Sequence, residues 1–296
     1  MGIKRWLVKN TSSLVGKTVA VTGTTGGIGR ELCIYLAELG ADLIFLDRSA
    51  TRSEARKSEI LSLYPDTKIT LFPLDLEDVD SVKRATEMLM GAKIDFLIHN
   101  AGAYSIPRHK CKNGLDNVFQ INFVSPYYIT RALLPTLEKR GGRVVIVGSI
   151  AHDYSKIDPT DLDFSTRGRA SLVYGNAKRH LTYALPELFS GKTDATLAIT
   201  HPGITFTNIT AHYPKVIFAI IKYPMKIIFM RPKKAALSVL RGLFEPTVGC
   251  EWIGPRAFNV WGYPKRKPLT TADKEERAEI FNRAEKIYKD MEDLLS

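Results

Sequence analysis

Cysteine is scarce in this chain: three in 296 residues, Cys33, Cys111 and Cys250, dispersed and without CxxC spacing. An odd, scattered set excludes a disulfide framework and fits a reducing compartment. The six histidines show no paired ligand spacing, so no metal site is expected. No apolar run approaches the roughly 20 residues of a membrane-spanning helix. The first 17 residues are basic but lack the apolar core of a signal peptide. Internal repeats and low-complexity tracts are absent. So are zinc-finger spacing, a helix-turn-helix pattern and ribonucleoprotein motifs, and no nucleic-acid partner is expected despite a formal net charge of +11.

What is present is ordinary for a globular chain: 45% hydrophobic and 25% charged residues, with 42 Lys+Arg against 31 Asp+Glu. The positive excess suits an anionic cofactor or a membrane surface. The length predicts one α/β domain over residues 1–296, with an N-terminal arm at 1–17 and a C-terminal helix at 271–296. The chain is organised around Val19–Gly29, where a short apolar strand runs into a glycine-rich turn and then a helix with apolar residues at Ile28, Leu32, Tyr35, Leu36 and Leu39. Strand, glycine turn and helix form the context of a dinucleotide site, with the helix N-terminus facing a pyrophosphate. No Lys-Ser or Lys-Thr follows, which argues against a triphosphate P-loop. Adjacent Gly26 and Gly27 let the stretch fit both TGxxxGxG and TGxxGxxG.

Downstream, apolar strands are expected at Ala41–Asp47, Lys68–Pro73, Ile94–Asn100, Arg143–Ser149 and Ala195–His201, with a short seventh strand at Glu251–Gly254. Helices are expected at Thr51–Leu63, Asp78–Met90, Asn113–Lys139 (bent or ended in parts by Pro126 and Pro135), Tyr174–Leu188, Lys233–Leu243 and Ala272–Leu295. The alternation predicts a Rossmann-type doubly wound parallel sheet with helices on both faces, its site at the carboxyl ends of the strands. Asp47 closes the second strand about twenty residues past the glycine turn, where a carboxylate meets ribose hydroxyls. Arg48 is the residue type that accompanies a 2′-phosphate. A carboxylate repels a phosphate dianion, so the expectation is NAD or NADP, leaning to NAD.

Tyr174 and Lys178 form a YxxxK at the expected start of a helix, where residues four apart share a face. An ammonium beside a phenol is expected to lower its pKa from the free value of about 10 and make it a general acid/base. With Thr22-Gly23-Thr24-Thr25-Gly26-Gly27-Ile28-Gly29, Asp75, Asn100-Ala101-Gly102, Asn122, Ser149 and Pro202-Gly203 with Thr207, the sequence resembles the short-chain dehydrogenase/reductase family from Lys17 to Pro264. It is the single-domain type, most similar to the retinol dehydrogenase branch. The stretches carrying that likeness are VVIVGSIAH, DLDF between Ser149 and Tyr174, YGNAKRHLTYALPEL and WIGPRAFNVWGYPKR. The ending Leu46-Asp47-Arg48-Ser49 departs from the Cys-Arg-Asp usual in that branch, which weighs against its NADP preference. Gly148 and Ala177 replace serines usual there.

The resemblance implies that Asn122, Ser149, Tyr174 and Lys178 are catalytic. It places Gly23, Thr25, Gly26, Gly27, Ile28, Gly29, Asp47, Arg48, Asp75, Leu76, Asn100, Ala101, Gly102, Tyr174, Lys178, Pro202, Gly203, Ile204 and Thr207 along the cofactor. The implied function is an NAD(P)-dependent oxidoreductase interconverting an alcohol and a carbonyl. Residues 204–230, rich in apolar, aromatic and lysine side chains, read as a substrate lid for a retinoid-, steroid- or lipid-like compound. Subunit packing in a homo-oligomer and weak contact with a membrane surface are the other readings of that segment. The expected location is cytoplasmic, with a peripheral membrane position as the alternative. Two rival functions stand beside this: an inactive nucleotide-binding scaffold or sensor of the same fold, and an extended-type epimerase/dehydratase relative.

Overall fold

The computed structural model describes residues 2–191, 193–204 and 229–296. Among them, eight strands form one sheet in the order β3-β2-β1-β4-β5-β6-β7-β8. Strands β1 (Thr18–Thr22), β2 (Asp42–Asp47), β3 (Ile69–Pro73), β4 (Phe96–His99), β5 (Arg143–Val147) and β6 (Thr196–Thr200) run parallel, and β7 (Glu251–Ala257) joins β6 in the same sense. The last strand, β8 (Trp261–Pro268), pairs antiparallel with β7, so the sheet is not wholly parallel as the alternation predicts. Its sequence, WGYPKRKP, is too polar and too rich in proline to read as a buried strand, and it lies at the sheet edge.

Each central strand is apolar throughout because both faces are covered. Val19 and Val21 of β1, with Leu43 and Phe45 of β2, pack against helices α1 (Ile3–Asn10), α2 (Gly27–Glu38) and α7 (Pro232–Phe244). Ala20, Ile44 and Leu46 point the other way, toward α4 (Val79–Gly91), α5 (Ser125–Glu138), α6 (Ala170–Leu188) and α8 (Lys274–Leu295). The remaining helix, α3 (Ala50–Leu63), buries only Ser53 and Ile60. The N-terminal arm is helical in part, and its Trp6 is buried and stacked on Tyr263 of β8, with ring centroids 6.2 Å apart.

The long helix predicted for Asn113–Lys139 begins later and is irregular. A short turn, Asn117–Phe119, leads into a π-helical turn, Gln120–Val124, before α5 begins at Ser125. The YxxxK is not at a helix start: α6 begins four residues earlier, at Ala170. The chain order reverses between β1 and β4, and a cleft opens at the carboxyl ends of these strands. No helix among the described residues is long and apolar enough to cross a membrane.

Candidate active site

The cleft has a volume of about 450 Å³. Of the residues expected along a cofactor, Gly23, Thr25, Gly26, Gly27, Ile28, Gly29, Asp47, Arg48, Asp75, Leu76, Asn100, Ala101 and Gly102 line it. The local reason is packing at the start of α2. A β-carbon on Gly29 would lie 2.2 Å from the carbonyl oxygen of Gly23, so only glycine lets the helix seat on the turn. Gly26, the N-cap residue, offers no side-chain cap, and the first N–H groups of α2 are left to meet an anion. Asn100 Nδ2 donates to the carbonyls of Thr22, at 3.1 Å, and Gly23, at 3.0 Å. Its amide hydrogens thus brace the glycine turn.

At the far end, Asp47 is buried, and one of its oxygens, Oδ2, accepts hydrogen bonds from Thr24 and Ser53, the latter at 2.6 Å. The carboxylate is therefore fixed by its neighbours. Arg48 is largely exposed and sits 3.9 Å from Asp75 and 3.8 Å from Glu77. Arg52 also lines the cleft, reaching back from α3 to the carbonyl of Thr25 at 3.3 Å. Sequence reasoning missed it, because nothing local marks one arginine of α3 as turned toward the glycine loop. Tyr104, which joins the cleft to the chemical centre, was missed for the same reason.

Tyr104 packs edge-on against Tyr174, with centroids 5.3 Å apart. The Ser149 hydroxyl faces the Tyr174 phenol and favours its ionised form, and Lys178 Nζ lies 5.6 Å from the centre of the ring. The fold thus brings the predicted Ser, Tyr and Lys together at the end of β5 and the second turn of α6. Asn122, in the π-helical turn, donates to the carbonyls of Ala103 and Val118, both at 2.8 Å, and accepts from the Ala103 N–H at 3.2 Å. Both its amide hydrogens hold backbone. The π turn supplies that arrangement, a use common to π-bulges. Pro202 and Gly203 are buried after β6, and the Met230 N–H returns to the Ile204 carbonyl at 2.8 Å. Thr207 and nearly all of the predicted lid lie outside the described residues.

The electrostatics correct one expectation. Burial pushes the Tyr174 phenol up to about 12; Ser149 works against this, and Tyr104 and Tyr154 add to it. The phenol does not fall below its ordinary value: desolvation governs the shift, and Lys178 is not among its causes. Burial instead brings Lys178 down to about 8, with Nζ donating to the Val147 carbonyl at 3.0 Å. His99 and His201, near the cleft, make structural bonds to Thr130 at 2.9 Å and to the Asn259 carbonyl at 3.0 Å.

Residues 17–158 match the family model for short chain dehydrogenase. Retinol dehydrogenase 12 of Mus musculus is 32% identical over 201 residues, which cover 66% of this chain and 63% of that protein. The chain thus spans slightly under two thirds of that relative. A solved protein from Mycobacterium paratuberculosis superposes with a TM-score of 0.76 at 24% identity, covering 95% of this chain and 96% of the other. The complex of Pseudomonas aeruginosa RhlG with NADP gives a TM-score of 0.59 at 25% identity, covering 79% and 91%. With the glycine-braced cleft and the order of strands, these likenesses agree: the chain is similar to the short-chain dehydrogenase/reductase family, with retinol dehydrogenases among the proteins it resembles.

Proposed function

We propose that this chain is an NAD(P)-dependent oxidoreductase that interconverts an alcohol and a carbonyl on an apolar substrate. The observation that carries the reading is the convergence of Ser149, Tyr174 and Lys178 behind Tyr104 and Gly102, which line a cleft whose glycine turn suits a dinucleotide. The nicotinamide, when bound, supplies or takes the hydride. Tyr174 exchanges the proton at its phenol oxygen with the substrate oxygen, taking it during oxidation and returning it during reduction. Ser149 holds that oxygen by a hydrogen bond. Lys178, fixed by the Val147 carbonyl and near its titration point at neutral pH, supplies positive charge beside the phenol. Asn122 braces the wall that carries Ala103.

Asp47 favours NAD by repelling a 2′-phosphate, while Arg48 and Arg52 at the rim of the cleft leave room for NADP. Residues 204–230 serve as the apolar lid of a single domain, and the name of the retinol-oxidising relative is consistent with an apolar alcohol. The lysines of that segment suit a secondary contact with anionic lipid.

Tyr174→Phe is expected to bind cofactor normally and lose turnover by at least roughly 100-fold, as removal of a general acid/base does. Unchanged turnover in that variant would overturn the mechanism. Titration of the unaltered protein with both nucleotides tests the cofactor preference; much tighter binding of NADP than of NAD would reverse the role given to Asp47.

A further inference from the structure

Ser149 opens a 3₁₀ turn, Ile150–Asp153, and its hydroxyl accepts from the Ala151 N–H at 3.2 Å. This turn presses on α6 directly beside Tyr174. A β-carbon on Gly175 would lie 2.5 Å from the Ala151 carbonyl oxygen, so the absence of a side chain there permits the approach. One helical turn further, Arg179 is almost fully buried and reaches the same 3₁₀ turn, Nη1 donating to the His152 carbonyl at 2.9 Å. Its other bonds go to the start of α8. Nε donates to Glu276 Oε1 at 2.7 Å, and Nη2 donates to Glu276 Oε2 and to the Thr271 carbonyl, both at 2.6 Å. Glu276 Oε1 also accepts from the Ile157 N–H at 3.3 Å, which gathers the loop beyond the turn onto the same carboxylate. Beneath the guanidinium lies the ring of Tyr183, 5.4 Å away, whose hydroxyl meets Thr271 Oγ1.

A buried forked pair is a poor way to gain stability, because its desolvation cost is comparable to its attraction. What it does supply is fixed geometry, since a planar guanidinium with bonds in three directions admits one arrangement. We propose that Arg179 and Glu276 are positioning residues, clamping the Ser149 turn between α6 and α8 so that the serine hydroxyl stays in reach of Tyr174. The inference rests on the oxidoreductase reading above. Burial raises the Glu276 carboxyl, but the bonds from Arg179 outweigh this and hold it below the ordinary range, so the clamp stays ionised at neutral pH. Tyr104 and Lys178 also face the phenol, as does Tyr154, which caps the clamped turn through its N–H to the Ala151 carbonyl at 2.9 Å.

The test is the full-length double variant Arg179→Met with Glu276→Met, which replaces the pair by apolar side chains and leaves no orphaned charge. It is compared with the unaltered protein and with Arg179→Lys, which keeps the charge but not the fork. Three measurements are made: nucleotide affinity, kcat and KM across pH, and amide exchange in the protein without nucleotide. The expected result is a folded double variant whose nucleotide affinity stays within about threefold. Its kcat should fall roughly 10- to 100-fold while KM changes less, as a small misplacement of a reacting group produces. The limb of the pH profile set by Tyr174 should shift upward, on the acid side for oxidation and the alkaline side for reduction, because Ser149, which lowers the phenol, is less firmly held in reach. Exchange should quicken in residues 150–157 and not in β1 or β5, and Arg179→Lys should fall between the two proteins. Unaltered kcat and pH profile in the folded double variant would overturn the proposal. So would a loss of kcat accompanied by an equal loss of nucleotide affinity and faster exchange throughout, which is the mark of a merely structural pair. If the unaltered protein turns over no alcohol or ketone, the oxidoreductase reading fails by itself; exchange rates, which need no substrate, still decide whether the clamp holds the turn.

Discussion

At the scale of single residues, burial sets a cost on Lys178 that depends on pH. Burial brings its pKa from the ordinary 10.5 to about 8. Below pH 8 the side chain is charged in both folded and unfolded chains, and the folded chain bears the full cost of burying that charge. Above about 10.5 it is neutral in both and the cost vanishes, so stability contributed by this residue rises between those values. At about 1.4 kcal/mol per unit of pKa, the cost at neutral pH is on the order of 3 kcal/mol. Loss of the bond to the Val147 carbonyl offsets about 1 kcal/mol of any gain on its removal. Lys178→Met is therefore expected to unfold at higher denaturant concentration than the unaltered protein at pH 7, with the gain shrinking toward pH 10, and to lose turnover. Equal midpoints at pH 7 would mean that the ammonium is not paying a desolvation penalty.

At the scale of elements, the contact between the glycine turn and α2 decides whether the cleft exists. Gly29→Ala places a β-carbon 2.2 Å from the Gly23 carbonyl, and backbone cannot yield as a flexible side chain would. The helix must shift outward, carrying its uncapped N–H groups away from the turn. The expected outcome is a loss of nucleotide affinity of more than about tenfold, alongside the roughly 1–3 kcal/mol that overpacking costs in stability. Isothermal titration and thermal unfolding of the same variant separate the two. A variant that binds nucleotide normally would show that α2 is not seated as described. The same logic explains α6: it starts at Ala170 rather than at Tyr174, so the YxxxK pair rests on a preceding turn of helix instead of a frayed end.

For the whole molecule, acid sensitivity follows from buried histidines. Burial lowers His99 to about 3 and His180 and His201 to about 4, and it lowers His152 too. From about pH 6.5 downward the unfolded chain takes up protons that the folded chain refuses until these much lower values. Stability is thus complete above about pH 6.5 and falls as pH falls, by roughly 1.4 kcal/mol per pH unit for each histidine that stays neutral. Denaturant midpoints measured at pH 7.5, 6, 5 and 4.5 should decline, with the steepest fall below pH 6. A flat profile over that range would mean that these rings gain protons without unfolding.

Local patterns determined much of this protein. Continuous apolar strands are legible because a parallel strand is covered on both faces, and Val19–Val21 and Leu43–Leu46 are. The glycine turn is legible because strand, turn and helix are contiguous, and Tyr174 with Lys178 because four residues span one helical turn. Tertiary structure decided what depends on distant chain segments or on burial. The polar β8 becomes a strand only through its partner β7. Arg52 enters the cleft by the way α3 lies over the glycine turn. The phenol of Tyr174 rises rather than falls because desolvation is set by everything packed around it, not by the lysine four residues along. Arg179 meets Glu276 across 97 residues of chain, a separation no periodicity encodes, since hydrogen bonds form between neighbours in space.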